Sequence, residues 1–263
     1  MTLAAAPAAL ANEIETRDTH GRPVLSRSTL IVPVLCAIVL ALLYGVVRGR
    51  SVDVVEANML RWPALRHAVI EHIYISVVIA VLVLLIAVPL GVLVTRRRTR
   101  WMAPFVLALG NLGQSAPSLG LLALFGSYLF IGFWAVVIIL TAYTTLSVLR
   151  NTIVGLQGID PSVLDAARGM GMSPARILLG VELPLAVPII GAGTRTAIVL
   201  AVATVPLGSF LGAGGLGATL FGAVRSDRPF AVLVASVMIA VLALLMDWAA
   251  GILQRSLTPR GIR

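Results

Sequence analysis

Apolar residues run through this chain in long unbroken blocks, at residues 29–47, 73–94, 102–125, 133–149, 185–207 and 230–253, separated by polar intervals. A hydrocarbon layer about 30 Å thick needs roughly 20 helical residues per crossing. Each block is long enough to span, the fourth only just. Within the blocks Val, Ile and Leu follow one another without the period-two alternation of a membrane β-barrel, and a lipid-exposed span must satisfy its own backbone hydrogen bonds. The pattern predicts an all-α polytopic bundle of about six transmembrane helices.

Composition agrees: 59% of the 263 residues are hydrophobic and 12% charged, with a mean hydropathy of +1.02, outside the range of soluble domains. The net charge of +9 comes entirely from arginine, because the chain contains no lysine. That excludes the phosphate-binding G-x-x-x-x-G-K-[ST] loop, so ATP is not bound here by that route and any ATPase is a separate subunit. In a membrane chain arginines report orientation rather than nucleic-acid binding. Cys36, the single cysteine, lies in the first block, and His20, His67 and His72 have no metal-ligand spacing, so neither disulfide nor metal is indicated. Residues 1–28 are Ala-rich, hold Glu13, Glu15 and Asp18, and lack the basic-then-apolar order of a signal peptide; a short, mobile cytoplasmic tail is expected.

Arg96, Arg97, Arg98 and Arg100 crowd the hairpin after the second block, whereas residues 126–132 carry no charge. The basic hairpin is therefore expected in the cytoplasm. Six spans then put the N-terminus, residues 150–184 and the tail with Arg255, Arg260 and Arg263 inside as well. Arg48, Arg50, Arg61 and Arg66 run against this rule, on the side assigned as external. With Asp53, Glu56 and Trp62-Pro63 they are expected to form an interfacial helix whose arginines meet lipid headgroups.

The interval 150–184 is far longer than the roughly two to eight residues that join helices in a bundle. Asp160 suits a helix N-cap with Pro161 first in the helix, and Gly169 and Gly171 suit its end. A second helix starts at Ser173 and Pro174 by the same logic, so two short helices joined by a glycine turn are predicted. This text resembles the EAA loop of ATP-binding-cassette importer permeases: E-A-A, three residues, G, nine residues, I-x-L-P. Here it reads Asp165-Ala166-Ala167, Gly171, then Val181, Glu182, Leu183 and Pro184, with spacing kept and Asp165 and Val181 as the departures.

The resemblance implies a type I importer transmembrane domain over residues 67–253, preceded by an added span and external segment at 29–66 and followed by a cytoplasmic tail at 254–263. It also implies that the loop is a coupling helix docking on a nucleotide-binding subunit. The implied partners are two ATPase subunits, which bind ATP and Mg, a second permease copy or paralogue, an extracytoplasmic binding protein and membrane lipid, all at a bacterial inner membrane. The stretches GNLGQSAPSLGLLAL, VELPLAVPIIGAGTRTA and SFLGAGGLG look like permeases for glycine betaine, carnitine, choline and related osmoprotectants. Methionine permeases share the loop but match the third block less well. A quaternary ammonium ion is usually held in an aromatic cage. With 6% aromatic residues and no Trp or Tyr cluster within a span, this chain leaves the cage to the binding protein.

Candidate path-lining residues are Asn111, Gln114, Ser115 and Ser118 in the third block, where Gly113 and Pro117 loosen the helix. Helix–helix hydrogen bonding is the competing reading of the same four. Arg195 lies about 15 Å into the fifth block and Asp247 about 9 Å into the sixth, both from the cytoplasmic end, at about 1.5 Å per residue. An ion pair pinning the two helices is expected. The resemblance places Pro206, Ser209, Gly212, Gly214, Gly215 and Gly217 in an external gate region. Glu71 and His72, at the edge of the second block, receive no role. An ion-coupled secondary carrier, the rival class, would show inverted repeats and midplane acids. No convincing repeat is found, and Asp247 is the one acid well inside a span. An ABC permease for another small solute, such as an amino acid, is the nearer alternative.

Overall fold

A computed structural model describes residues 27–128 and 131–259. The expected tail at 1–28 lies almost wholly outside the described residues, as do Arg260 and Arg263. Among the described residues every regular element is helical: α1 (Ile31–Gly49), α2 (Val54–Met59), α3 (Trp62–Thr95), α4 (Ala103–Ser115), α5 (Ser118–Tyr128), α6 (Phe133–Gln157), α7 (Pro161–Gly169), α8 (Pro174–Ile177), α9 (Leu183–Thr204), α10 (Leu216–Arg225) and α11 (Pro229–Leu257). Five continuous helical segments are long and apolar enough to cross a bilayer: α1, α3, α6, Pro174–Leu211 and α11. The third apolar block forms a bent pair, Arg100–Ser115 and Ser118–Gly126, turned 91° from each other, and brings the crossings to six when the pair is counted as one broken span.

That bend corrects the expectation of one loosened helix over 102–125. Proline lacks an N–H, and its ring pushes the preceding residue out of the helical region. Ala116, before Pro117, sits at ψ 139°, and α4 stops at Ser115. Gly113 stays helical, so Pro117 alone makes the break. Other boundaries move too. The second crossing begins at Trp62, inside the stretch assigned to the external segment, and α6 runs through Arg150 to Gln157, so the loop proper starts at Gly158.

α6 is the centre of the bundle, with Val136, Leu140 and Val148 packed against Ile79 and Val83 of α3 and Ala186 and Ala197 of α9. Water does not drive helices together inside lipid, so contact depends on close packing and small residues. A Cβ on Gly91 of α3 would lie 2.6 Å from Thr152 Cγ2, and one on Gly193 of α9 2.6 Å from Asn151 Cβ. These glycines set the distance at which both neighbours approach α6. α1 is peripheral, burying only Cys36. It is tied to α11 where Trp248 Nε1 donates to the Thr29 carbonyl at 2.7 Å and Arg255 donates to Thr29 Oγ1 at 3.2 Å.

The segment between α1 and α3 does contain a helix, but α2 carries none of the four arginines, which flank it instead. Asp53 caps α2 by accepting the Glu56 N–H at 2.7 Å and pairs with Arg228 at 2.6 Å. That N–H and then the Arg228 charge hold its carboxyl below the usual carboxylate range. Glu56, buried, accepts the Ala231 N–H at 3.3 Å and so docks α2 on the start of α11.

Candidate coupling loop and translocation path

Local chemistry builds α7 much as the sequence suggests. Asp160 accepts the Ser162 N–H at 2.8 Å, a bond that lowers its carboxyl pKa, and Pro161 opens the helix. At the other end the Gly171 N–H donates to the Arg168 carbonyl at 2.9 Å and the Met172 N–H to the Ala167 carbonyl at 3.2 Å. This is a Schellman ending, which needs a left-handed residue, and Gly171 has φ +73°. Nothing lies within 4 Å of where a Gly171 Cβ would stand, so the constraint on this position is conformational. Within α7 Ala167 is buried, while Asp165, Ala166 and Gly169 are exposed, as is Met170 just after it. Asp165 is engaged by Arg168 at 2.6 Å, one turn away.

The second short helix is not separate. Ser173 caps α8, accepting the Arg176 N–H at 3.4 Å, and the chain then passes through a π-helical turn, Leu178–Glu182, into α9. The result is one rod from Pro174 to Leu211. The wider turn explains how Val181, Leu183 and Pro184 fit it: Pro184 cannot donate, its ring would strike a carbonyl in an α-helix, and a π turn relieves both. Glu182 of that turn is buried and takes a two-pronged bond from Arg96, at the end of α3, with Nη1 donating to Oε1 at 3.1 Å and Nη2 to Oε2. Arg96 had counted only toward orientation. Here it clamps the π-helical turn to α3.

Deeper in the bundle the structure brings Arg195 and Asp247 together. Arg195 Nε donates to Oδ1 at 2.8 Å and Nη2 to Oδ2 at 2.6 Å, the bidentate geometry that favours arginine over lysine. The pair faces a polar cavity of about 150 Å³ lined also by Thr29, Trp248 and Arg255, roomy enough for water.

The four candidate path residues divide. Asn111 accepts from Arg150, Gln114 donates to Ser147 at 3.4 Å, and Ser115 bonds back to the Asn111 carbonyl at 2.8 Å. Ser118 opens α5. Asn111 and Gln114 thus face α6, which gives weight to the helix–helix reading. None of the four lines the large groove of about 800 Å³ beside α4, whose walls are mainly apolar with Thr141, Tyr143 and Thr145.

At the opposite end of α3, the glycine-rich run folds as a tight turn. Val205–Leu211 forms a 3-10 helix containing the buried Pro206 and half-buried Ser209, and Gly212, Gly214 and Gly215 take φ of +77°, +78° and +71°. Gly217 lies directly against Pro206. What sequence reasoning missed is the brace on this turn. Glu71 accepts the Gly215 N–H at 2.9 Å, and His72, fully buried, places Nε2 3.1 Å from the Val202 carbonyl. Two ionisable residues side by side in an apolar helix were the available signal.

Comparison with known proteins places this geometry. The profile of the family described as binding-protein-dependent transport system inner membrane component matches residues 87–259. The choline transport system permease protein OpuBB of Bacillus subtilis is 37% identical over 193 residues, 73% of this chain and 88% of that protein. The carnitine transport permease protein OpuCB of Listeria monocytogenes is 36% identical over the same shares. The osmoprotectant import permease protein OsmW of Salmonella typhimurium is 35% identical over 201 residues, 73% of this chain and 91% of that protein. An inward-facing structure of the MetNI methionine ABC transporter superposes with a TM-score of 0.66, covering 76% of this chain and all of its counterpart; at 24% identity it speaks for the fold alone.

Proposed function

This chain belongs to the family of binding-protein-dependent transport system inner membrane components, and from that premise we propose how its parts carry out osmoprotectant import. It is a multi-pass permease subunit of an ABC importer in the bacterial inner membrane. Its cargo class is the quaternary-amine osmoprotectants, glycine betaine, carnitine and choline, since its relatives are permeases for those solutes. Two partner ATPases hold ATP and Mg, a second copy or paralogue completes the passage, and an external binding protein delivers the cargo.

The observation that carries the mechanism is the unbroken rod from Pro174 to Leu211. α7 presents Asp165, Ala166 and Met170 to the ATPase groove, and closure of the ATPases on ATP displaces it. The Schellman turn at Gly171 passes that displacement to α8, and the rod carries it to the 3-10 helix holding Pro206 and Ser209. Arg96–Glu182 makes α3 move with the rod. At the far end Glu71 and His72 of α3 hold the glycine-rich turn, so both ends of the same two elements are connected.

Uptake of labelled betaine, carnitine, choline and methionine in cells lacking this chain tests the cargo. Loss of the quaternary amines with methionine uptake unchanged is expected; loss of methionine uptake alone would overturn the assignment. Depleting ATP with the ion gradient held abolishes uptake if the ATPase drives it, and leaves it intact in an ion-coupled carrier.

The coupling role has its own test. A β-branched residue at Gly171 meets no neighbour, but it disfavours the left-handed conformation by about 1–2 kcal/mol. In the assembled transporter, Gly171→Val is expected to keep ATP hydrolysis while losing most transport. Gly171→Asn, which tolerates that conformation, retains transport. Equal transport by both variants and wild type would remove the turn from the mechanism.

A further inference from the structure

The end of α3 remote from the coupling loop holds an unassigned feature. A groove of about 600 Å³ opens between α1, α3 and α11, walled by Leu43, Val47, Val69, Val234, Met238 and Leu242. That lies within the roughly 300–1,000 Å³ of small-molecule sites. Its rim carries Tyr44, Arg48, Trp62 and Arg66. The peripheral α1 forms one wall, so the groove opens sideways toward lipid. From Arg48 the same wall continues to Leu40, two turns and about 12 Å deeper along α1.

The rim's charge is unspent. Three acids at this end are engaged, Asp53 by Arg228, Glu56 by the Ala231 N–H, and Glu71 by the Gly215 N–H and His67, and the exposed Asp227 is not among the residues that line the groove. Among the described residues neither Arg48 nor Arg66 has a carboxylate within 4.0 Å. Both are exposed, and the Arg48 guanidinium stands 5.0 Å from the Tyr44 ring centroid. Two guanidiniums above an apolar slot, flanked by an interfacial Trp and Tyr, match the amphipathic profile of one kind of molecule present at that depth.

We propose that this groove is a site for an anionic phospholipid, its phosphate between Arg48 and Arg66 and one acyl chain in the slot walled by α1, α3 and α11. The site accounts for two of the four arginines that run against the positive-inside pattern, Arg48 and Arg66: they neutralise a bound headgroup. It also gives α1, which buries a single residue of its own, a lipid-mediated contact with the bundle.

Trp62 is the native reporter, and its signal is the difference between wild type and Trp62→Phe. The full-length chain, reconstituted into vesicles, is titrated with chain-brominated phosphatidylglycerol or chain-brominated phosphatidylcholine. The anionic lipid is expected to quench the Trp62 component at a mole fraction roughly fivefold lower, the selectivity that one guanidinium near an anionic surface supplies. The Arg48→Gln/Arg66→Gln variant loses that preference, and soluble glycerol 3-phosphate does not relieve the quenching. Equal quenching by the two lipids shows only annular contact and overturns the proposal. So does a preference that survives the double variant, relief by the soluble phosphate, or no quenching at all, which means protein covers the groove. If the double variant fails to insert, Arg48→Gln alone leaves α3 untouched and must still diminish the preference.

Discussion

Asp247→Ala lowers the stability of the bundle by about 3 kcal/mol, the cost of an arginine in a transmembrane segment without its counter-charge. The carboxylate receives both prongs of Arg195, and the polar cavity beside them has room for water but holds no second acid. Removing one partner of such a pair is worse than removing both, because an apolar replacement leaves no charge behind. The Arg195→Ala/Asp247→Ala variant is therefore expected to recover more than half of the loss. The exchanged pair, Arg195→Asp/Asp247→Arg, recovers part of it where the single reversals do not. Reversible unfolding in mixed micelles measures all of these. Double and single variants equally destabilised would show that the two side chains act separately. If the double variant were stable yet inactive, the pair would belong to the passage rather than to the scaffold.

Gly217→Ala has an effect of similar size by a steric route. The added Cβ would stand 2.3 Å from the Pro206 carbonyl oxygen and 2.5 Å from its Cα. Both obstacles are backbone, so no rotamer change relieves them, and either α10 or the 3-10 helix must shift. Overpacking that forces the backbone to move costs about 1–3 kcal/mol, occasionally more. Gly222, in the same helix, provides the control, because the nearest atom to its Cβ position is Met59 Cε at 3.9 Å. There alanine replaces the most flexible residue in a helix interior and stabilises by about 0.5–1 kcal/mol. Thermal melting of the two variants should move in opposite directions. A Gly217→Ala midpoint at or above that of Gly222→Ala would mean that the glycine-rich turn is not packed as described. Since this contact lies at the end of the rod proposed to carry coupling, the same substitution should also impair transport in whatever fraction folds.

The lipid groove and the gate brace share α3: the first is walled by one face of that helix near Trp62 and Arg66, and the second uses Glu71 and His72 one or two turns on. A bound headgroup at Arg66 would therefore sit about 8–9 Å from the brace along the helix axis. The proposed lipid site and the proposed gate are thus adjacent on α3, and the variants at Arg48 and Arg66 separate them, because the hydrogen bonds to the Gly215 N–H and the Val202 carbonyl come from Glu71 and His72.

How much of this was legible beforehand follows the range of the interactions involved. Apolar blocks announced the crossings, since a helix in lipid satisfies its own backbone locally. The ends of α7 could be read from Asp160, Pro161 and Gly171, since a cap acts over a few residues. Even the Arg195–Asp247 pair was accessible, since a fixed rise per residue converts sequence position into depth and an intramembrane charge calls for a partner. Other features were not legible in this way. Pro117 announced a weak point without giving its angle of 91°. The turn at Leu178–Glu182 hid the fusion of α8 with α9 behind a start signal at Ser173 that is locally correct. Arg96–Glu182, Glu71–Gly215 and His72–Val202 join residues 86, 144 and 130 positions apart. The sequence by itself determined the apolar crossings, the caps of α7 and α8, the partnership of Arg195 with Asp247 and the family. Tertiary structure alone decided which faces of α3, α6 and α9 meet, and through them the clamp, the brace and the groove. The physical reason is that helix formation and capping are local, whereas partner choice depends on packing angles set by small residues such as Gly91 and Gly193, whose role appears only when a second helix lies against them.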